Sequence, residues 1–509
     1  MMIPAALDQL SPDELRQLLV QSHAALQLKE QELRQRQHKI DLLTFELAYY
    51  KRQRYGAKAE QWPEEQRLLF AETRETDLTA LTEELSRLSA PETPRTLSPA
   101  RRHPLPAHLP RTDIHHEPDS THCPCGGSMQ RIGEDVAEKL DYTPGVFTVE
   151  RHIRGKWVCR TCDTLRQAPV PAHVIDKGIP TTGLLAQVLV AKYQDHLPLY
   201  RLEGIFGRAG HAIPQSTLAQ WVGQMGVVLQ PLVEALKAEL LTYSVLHADE
   251  TPVAMLDPGA GKTRRAYLWS YSIGALEPVR AVVYDFAESR AGRHAQVFLD
   301  HWRGTLVCDD YAGYKALIAD GVTEAGCMAH ARRKFFELHT SHQSQLAAVA
   351  LGYFQRLYAL EGLLAEVSAE ERQSQRQAHA TPVLSEFHDW LMTQRLRVPP
   401  GSGTARAMDY TLKRWQALTQ YLRDGQVPID NNWIENQIRP IALGRKNWLF
   451  AGSLRAGQRA AAIMTLIQSA RLNGHDPYAY LKDVLTRLPT HPNSQIKELL
   501  PHYWCPSAA

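Results

Sequence analysis

Val245-Leu246-His247-Ala248-Asp249-Glu250 is a short apolar run that delivers two acids, and the chain downstream reads as the rest of one site. Alternation and β-branched content make 243–247, 266–273 and 279–286 three successive strands with short connections. A helical pattern over 290–302 follows. Thr305-Leu306-Val307-Cys308-Asp309-Asp310-Tyr311 is then a fourth apolar strand whose end again carries an acid. Residues 323–328 read as a fifth strand, and His330-Ala331-Arg332-Arg333-Lys334-Phe335 begins a helix.

A third acid arrives late. Asp430-Asn431-Asn432-Trp433-Ile434-Glu435-Asn436 opens a helical pattern far beyond Asp309, so a large helical insertion, about 337–425, must come before the sheet is rejoined. Three carboxylates, Asp249, Asp309 and Glu435, can hold two hard divalent cations, Mg²⁺ or Mn²⁺, through oxygen ligands. Such a set suits phosphodiester chemistry, in which paired metals stabilise the attacking and the leaving oxygen. Neighbours on a strand point to opposite faces, which argues against Glu250 sharing a site with Asp249. Three strands, a helix and a fourth strand, with acids on the first and fourth, is the order of a ribonuclease-H-like domain, here placed at 241–460 with a helical tail over 461–509.

The chain of 509 residues is too long for one simple core. Its formal net charge of +2 is nearly neutral, so affinity for a polyanion must come from local basic patches. Arg332, Arg333 and Lys334 follow the fifth strand, and Arg439, Arg445 and Lys446 follow the third acid; both clusters are candidates for DNA backbone contact, with solvent-facing charge as the competing reading. His330 is a candidate donor to the scissile group or a structural hydrogen bonder. Seven cysteines, four of them bunched, describe a metal site better than a secreted disulfide framework and point to a reducing cytosol. No basic-then-apolar leader and no apolar run of about 18 residues is present, so neither secretion nor membrane spanning is expected.

Upstream, Leu19, Leu26, Leu33, Ile40 and Leu47 fall at seven-residue intervals in a polar segment, which predicts a long helix over 1–60 with a coiled-coil seam and a homo-oligomer formed through it, the competing reading being a helix packed on its own chain. A helical remnant and a linker rich in proline and arginine occupy 61–118. Thr121-His122-Cys123-Pro124-Cys125 and Cys159-Arg160-Thr161-Cys162, separated by β-like sequence, form the two knuckles of a zinc ribbon over 119–175. The first knuckle is one residue short, so its ligands are either Cys123 and Cys125 or His122 and Cys125. In 176–240, Leu199–Gly207, a turn at 209–211 and a helix starting near Pro214 have the length and punctuation of a helix-turn-helix DNA-binding domain; two packed helices without nucleic-acid contact would read the same.

These residues resemble the insertion-sequence-66 family of bacterial transposases. The resemblance is carried by His247-Ala-Asp249-Glu250-Thr251, Asp309-Asp-Tyr-Ala-Gly-Tyr314, Cys327-Met-Ala-His330-Ala-Arg-Arg-Lys-Phe335 and Asp430-Asn-Asn-Trp-Ile-Glu435-Asn-Gln-Ile-Arg-Pro440 leading into Gly444–Gly452. It implies a DDE triad at Asp249, Asp309 and Glu435, metal-dependent hydrolysis at element ends, and transfer of the 3′ ends to target DNA. It also implies double-stranded DNA as partner, accessory proteins of the same element, and a cytoplasmic, nucleoid-associated place of action. Two other classes compete: a structure-specific nuclease that cuts without joining, and a regulatory DNA-binding protein with an inactive catalytic domain.

Overall fold

The computed structural model describes residues 12–56, 64–88, 105–107, 109–118, 120, 122, 129–143, 145–175, 178–257, 260 and 262–506. The chain builds a multidomain α/β molecule with two mixed sheets. The first sheet contains β1 (Arg111–His116), β2 (Met129–Thr143), β3 (Val146–Cys159) and β4 (Leu165–Gln167). β2 and β3 form a long antiparallel hairpin, β1 lies parallel to β3, and β4 pairs with the end of β3. β1 falls inside the stretch expected to be linker. Its six residues lack strong alternation, and backbone pairing to β3 makes them a strand.

The second sheet is made of β5 (Val245–Asp257), β6 (Lys262–Ile273), β7 (Val282–Ala287), β8 (Thr305–Cys308) and β9 (Thr323–Gly326), in spatial order β7-β6-β5-β8-β9. β5 to β7 run antiparallel in sequence, whereas β8 is parallel to β5 and β9 to β8. β5 is longer than its apolar stretch predicts, because pairing with β6 carries it on through Pro252 to Asp257. The β7 edge is covered by the helix Leu454–Leu472, in which the Thr465 hydroxyl accepts the Tyr284 N–H at 2.9 Å. The Ser469 hydroxyl accepts the Val282 N–H at 3.1 Å, so two ladder groups are satisfied without another strand. The expected division at 460 therefore falls inside a helix that packs on the sheet.

A second buried cluster belongs to the helical insertion, where Phe335, Phe354 and Phe387 meet. Its helices Gln345–Leu363, Ala369–Gln375 and Gly403–Lys413 start on Ser344, Ser368 and Ser402, each accepting a backbone N–H of the first turn. Arg376, fully buried, grips Glu361 through two bonds of 2.9 and 2.6 Å and donates to the carbonyls of Tyr421 and Val427. One charge thereby closes the far end of the insertion.

The helix-turn-helix expectation meets helices at Leu199–Arg208 and Gln215–Val228, joined through Gly210 at φ +97°, a conformation that favours glycine. From Leu218 onward the second helix is buried nearly all round, with only Gln220 exposed, as befits a core helix. Its outer face is taken by the helix Glu64–Leu88, whose Thr76 carbonyl lies where a Cβ on Gly223 would go. The predicted long helix spans Pro12–Gly56 and folds back on Glu64–Leu88, with Arg36 donating to the Leu88 carbonyl at 2.8 Å and Leu43 buried. Leu26 and Leu33 of the seam are each 61% exposed, whereas Ile40 and Leu47 are half-buried. The Leu19 side chain lies outside the described residues.

Candidate acidic site

The centre of the second sheet sets two acids side by side. β5 and β8 run parallel with Leu246 opposite Leu306 and His247 opposite Val307. The same register carried two positions further puts Asp309 alongside Asp249. Each carboxylate is steadied by a nearby backbone donor: Asp249 Oδ1 accepts the Glu250 N–H at 2.8 Å, and Asp309 Oδ1 accepts the Tyr311 N–H at 3.0 Å.

The third acid is brought in by a clamp on the start of the helix Asn432–Trp448. Asn431, almost fully buried, donates through Nδ2 to the Ala248 carbonyl at 3.0 Å, which leaves its Oδ1 facing His247 Nδ1 at 2.7 Å. That assigns the proton of His247 to Nδ1. The Asn431 N–H is directed to Cys327 Sγ at 3.2 Å, and the Met328 N–H donates to the Ile429 carbonyl at 3.1 Å. Glu435 follows one turn later. The middle of this helix is fixed by close approach, since the His196 ring occupies the space that a Cβ on Gly444 would need.

Electrostatics register how near the acids are. Burial, followed by the charges of Glu250, Asp309 and Glu435, pushes the Asp249 carboxyl up to about 8. Glu435 Oε1 is buried without a hydrogen-bond partner, 3.8 Å from His330 Nδ1, while Oε2 lies 3.7 Å from Arg333 Nη2. Among the described residues, Cys327, His330 and Glu435 are the set whose donor atoms all lie within 4.8 Å of one another; the three acids are spaced more openly. Burial pushes the Cys327 thiol up to about 12. Mutually repelling carboxylates with an unserved buried oxygen form a donor set that fits hard divalent cations, whose charge would reverse the upward shift on Asp249.

The competing acids have other occupations. Glu250 is buried beneath Arg290, which donates from Nε at 2.7 Å, and Tyr314, whose hydroxyl donates at 2.9 Å. Asp310 accepts from Arg414 at 2.7 Å, and Asp430 accepts the Tyr358 hydroxyl at 2.8 Å and the Asn432 N–H at 3.0 Å. Of the basic candidates, Arg332, Arg333 and Lys334 are exposed on the helix Met328–His342, with Lys334 4.4 Å from the Tyr410 ring centre. Arg332 also lines a groove of about 830 Å³ with Phe336, His339, Tyr358 and Asn432. Arg439 and Lys446 are exposed, whereas Arg445 is half-buried and donates to Thr251 Oγ1 at 3.3 Å and to the Pro252 carbonyl.

The Asn431 clamp is not among the expectations drawn from the sequence. The available signal was an Asp-Asn-Asn run directly before a helical pattern, a sequence that caps helices and turns.

The second of the expected knuckles, Cys159–Cys162, is a tight turn. Cys159 is buried, its N–H donates to the Thr164 carbonyl at 2.9 Å, and Asp163 takes φ +52°. His122 is exposed, its N–H donating to Ser120 Oγ at 3.1 Å. Cys123 and Cys125 lie outside the described residues.

Carboxylates gathered on an α/β sheet beside exposed arginines and lysines suit a metal-dependent enzyme with a polyanionic substrate. The chain belongs to the transposase IS66 family, whose model matches residues 177–459. Further models match in the same sense: the IS66 C-terminal element over 465–502, the zinc-finger binding domain of transposase IS66 over 120–163, and "Transposase C of IS166 homeodomain" over 42–114. Among similar proteins of Sinorhizobium fredii (strain NBRC 101917 / NGR234), "Uncharacterized protein y4jD" is 37% identical over 417 residues, covering 79% of this chain and 81% of its own. "Uncharacterized protein y4qI" is 36% identical over 488 residues, covering 92% and 90%. The chain is thus an insertion-sequence transposase by family, with the divalent-metal use and zinc-finger region which that family implies. Among the described residues no helix is long and apolar enough to cross a membrane.

Proposed function

We propose that Asp249, Asp309 and Glu435 form the catalytic triad of a ribonuclease-H-like core that cuts element ends and joins them to target DNA. The observation that carries this reading is the joining of three segments distant in sequence: β5 and β8 run in parallel register towards Asp249 and Asp309, and Asn431 ties the start of the Glu435 helix to the Ala248 carbonyl, next to Asp249. The strand order β7-β6-β5-β8-β9, with β6 antiparallel to β5, supports the core assignment.

In the first step, water attacks the phosphorus at the element end and the bond to the 3′ oxygen breaks, leaving a 3′-hydroxyl and a 5′-phosphate on the flank. In the second, that hydroxyl attacks a target phosphodiester, forms a new bond to its 5′ side and releases a target 3′-hydroxyl. Divalent cations, Mg²⁺ or Mn²⁺, held by the three acids would stabilise charge on the attacking and leaving oxygens. The chain itself orients: Asn431 fixes the distance between β5 and Glu435, and Arg333, with Arg332 and Lys334, offers cations to the phosphates flanking the break. Arg439 and Lys446 extend that surface, and Arg445 holds the rim at Pro252. Zn²⁺ bound through Cys159 and Cys162, with Cys125 and either Cys123 or His122, would brace the first sheet's tip. The exposed Leu26 and Leu33 support pairing of copies through the long helix, with action in the cytoplasm on nucleoid DNA and accessory proteins of the element as further partners.

The test is incubation of the protein with its own element's end DNA and Mg²⁺ or Mn²⁺, comparing wild type with Asp249→Ala. Cleavage by wild type alone is expected; equal cleavage by both removes Asp249 from the mechanism. Strand transfer from precut ends separates this reading from a nuclease that never joins.

A further inference from the structure

Two donor atoms at the acidic site face one another, and neither is bonded. Glu435 Oε1 and His330 Nδ1 are both buried from solvent without a hydrogen-bond partner, and they are 3.8 Å apart. That gap is too long for a hydrogen bond, and leaving two desolvated polar atoms unserved is costly. Each atom is held by its own element. His330 sits in the first turn of Met328–His342, its N–H directed to Cys327 Sγ, and Glu435 sits in the first turn of Asn432–Trp448. Because Cys327 Sγ also accepts the Asn431 N–H, one sulfur fastens both helix starts and is occupied by backbone donors. Arg333 approaches the opposite carboxylate oxygen, Oε2, so it does not fill the gap. Donors bound to one ion at about 2.1 Å are between roughly 3 Å apart at a right angle and 4.2 Å apart when opposed. The observed separation lies inside that window.

We infer that His330 Nδ1 is a nitrogen ligand of the divalent cation that Glu435 holds, an assignment that rests on the three-acid reading above. The site is then asymmetric: oxygen donors alone on the Asp249 and Asp309 side, oxygen and imidazole nitrogen on the Glu435 side. Imidazole suits later first-row metals and carboxylate oxygen suits Mg²⁺, so the Glu435 side prefers Mn²⁺. The ligating tautomer carries its proton on Nε2, leaving the Nδ1 lone pair free.

The experiment is Mn²⁺ titration of the full zinc-loaded chain, with free Mn²⁺ followed by electron paramagnetic resonance and bound Mn²⁺ examined by electron spin-echo modulation for histidine ¹⁴N coupling. Wild type is expected to show the coupling. His330→Gln should lose it and weaken one Mn²⁺ site at least tenfold, with the circular dichroism spectrum unchanged, and Glu435→Gln should lose both coupling and site. Mn²⁺ binding that Asp249→Asn abolishes, but that carries no nitrogen coupling in wild type, overturns the role of His330 and leaves the three-acid reading standing. Mn²⁺ binding indifferent to Asp249→Asn and to Glu435→Gln overturns that reading and this one with it.

Discussion

Asp249, half-buried, and His247, fully buried, stand two positions apart on β5, and loss of water drives their charges in opposite pH directions. Asp249 titrates near 8 against an ordinary 3.8, so without metal the native state keeps a proton that the unfolded chain has released. Stability from this group is complete below about pH 4 and is lost as pH rises to about 8. His247 is depressed to about 4 by burial, so its contribution is present above 6.5 and is lost as pH falls towards 4. The metal-free protein should therefore melt at a lower temperature at pH 8.5 than at pH 6.5. Asp249→Asn should flatten that slope in a thermal-shift series, and Mg²⁺ should raise the melting temperature more at pH 8.5 than at pH 6.5. Asp309 and Asp310 are separable on the same grounds. Because Asp310 is spent on Arg414, Asp310→Asn should keep end cleavage within a few-fold of wild type, whereas Asp309→Asn should lower it by at least about a hundredfold. Comparable losses in a cleavage assay would reverse the assignment. The preference for Asp309 was legible through family resemblance; the arginine that withdraws Asp310 was not, because Arg414 lies 104 residues away.

Two joints decide whether the elements deliver their side chains. The first is Asn431 between β5 and the helix that carries Glu435. Asn431→Ala leaves the Ala248 carbonyl and His247 Nδ1 unsatisfied in a dry environment, a loss of roughly 2–4 kcal/mol. Urea denaturation should show that loss together with weaker cleavage, because Glu435 is no longer held at a set distance from Asp249; unchanged stability would rule out the clamp. The second joint is Arg414, whose side chain is 4% exposed and pairs with both Asp310 and Glu324 at 2.7 Å. It ties the insertion to the ends of β8 and β9. Arg414→Met should cost about 2 kcal/mol, less than for a fully buried pair because Asp310 is partly open to water and Lys315 stays close.

At the scale of the whole molecule, the amino-terminal hairpin is latched to the sheet's covering helix by charge. Asp77, wholly buried, accepts from Arg459 at 3.0 Å and from the Ser453 hydroxyl, while Arg455 grips Glu46 through bonds of 2.6 and 2.7 Å. Burial raises the Asp77 carboxyl in spite of Arg459, which shows how dry the contact is. Asp77→Ala would strand Arg459 and should cost about 3–5 kcal/mol, read as an early transition in calorimetry. Beyond the latch the long helix leaves its apolar seam in water. The proposed pairing of copies through this helix predicts that Leu26→Glu with Leu33→Glu lowers the sedimentation coefficient while leaving the main melting transition in place. An unchanged sedimentation coefficient would remove that helix from oligomerisation.

The sequence alone determined the local content: the strands of the second sheet with their acids, the helix after Asp430 and the heptad stripe of the long helix, all of which depend on neighbours within a turn or a strand. Tertiary structure alone decided the rest. Backbone pairing recruited 111–116 into a strand, and the helix Glu64–Leu88 covered the second of the two helices between 199 and 228 from Leu218 onward. Asn431 joined residues 184 positions apart, and His330 was brought opposite Glu435. Periodicity reports which side of an element is buried; it carries no record of what lies against it, because contact across long loops is fixed only when the whole chain closes.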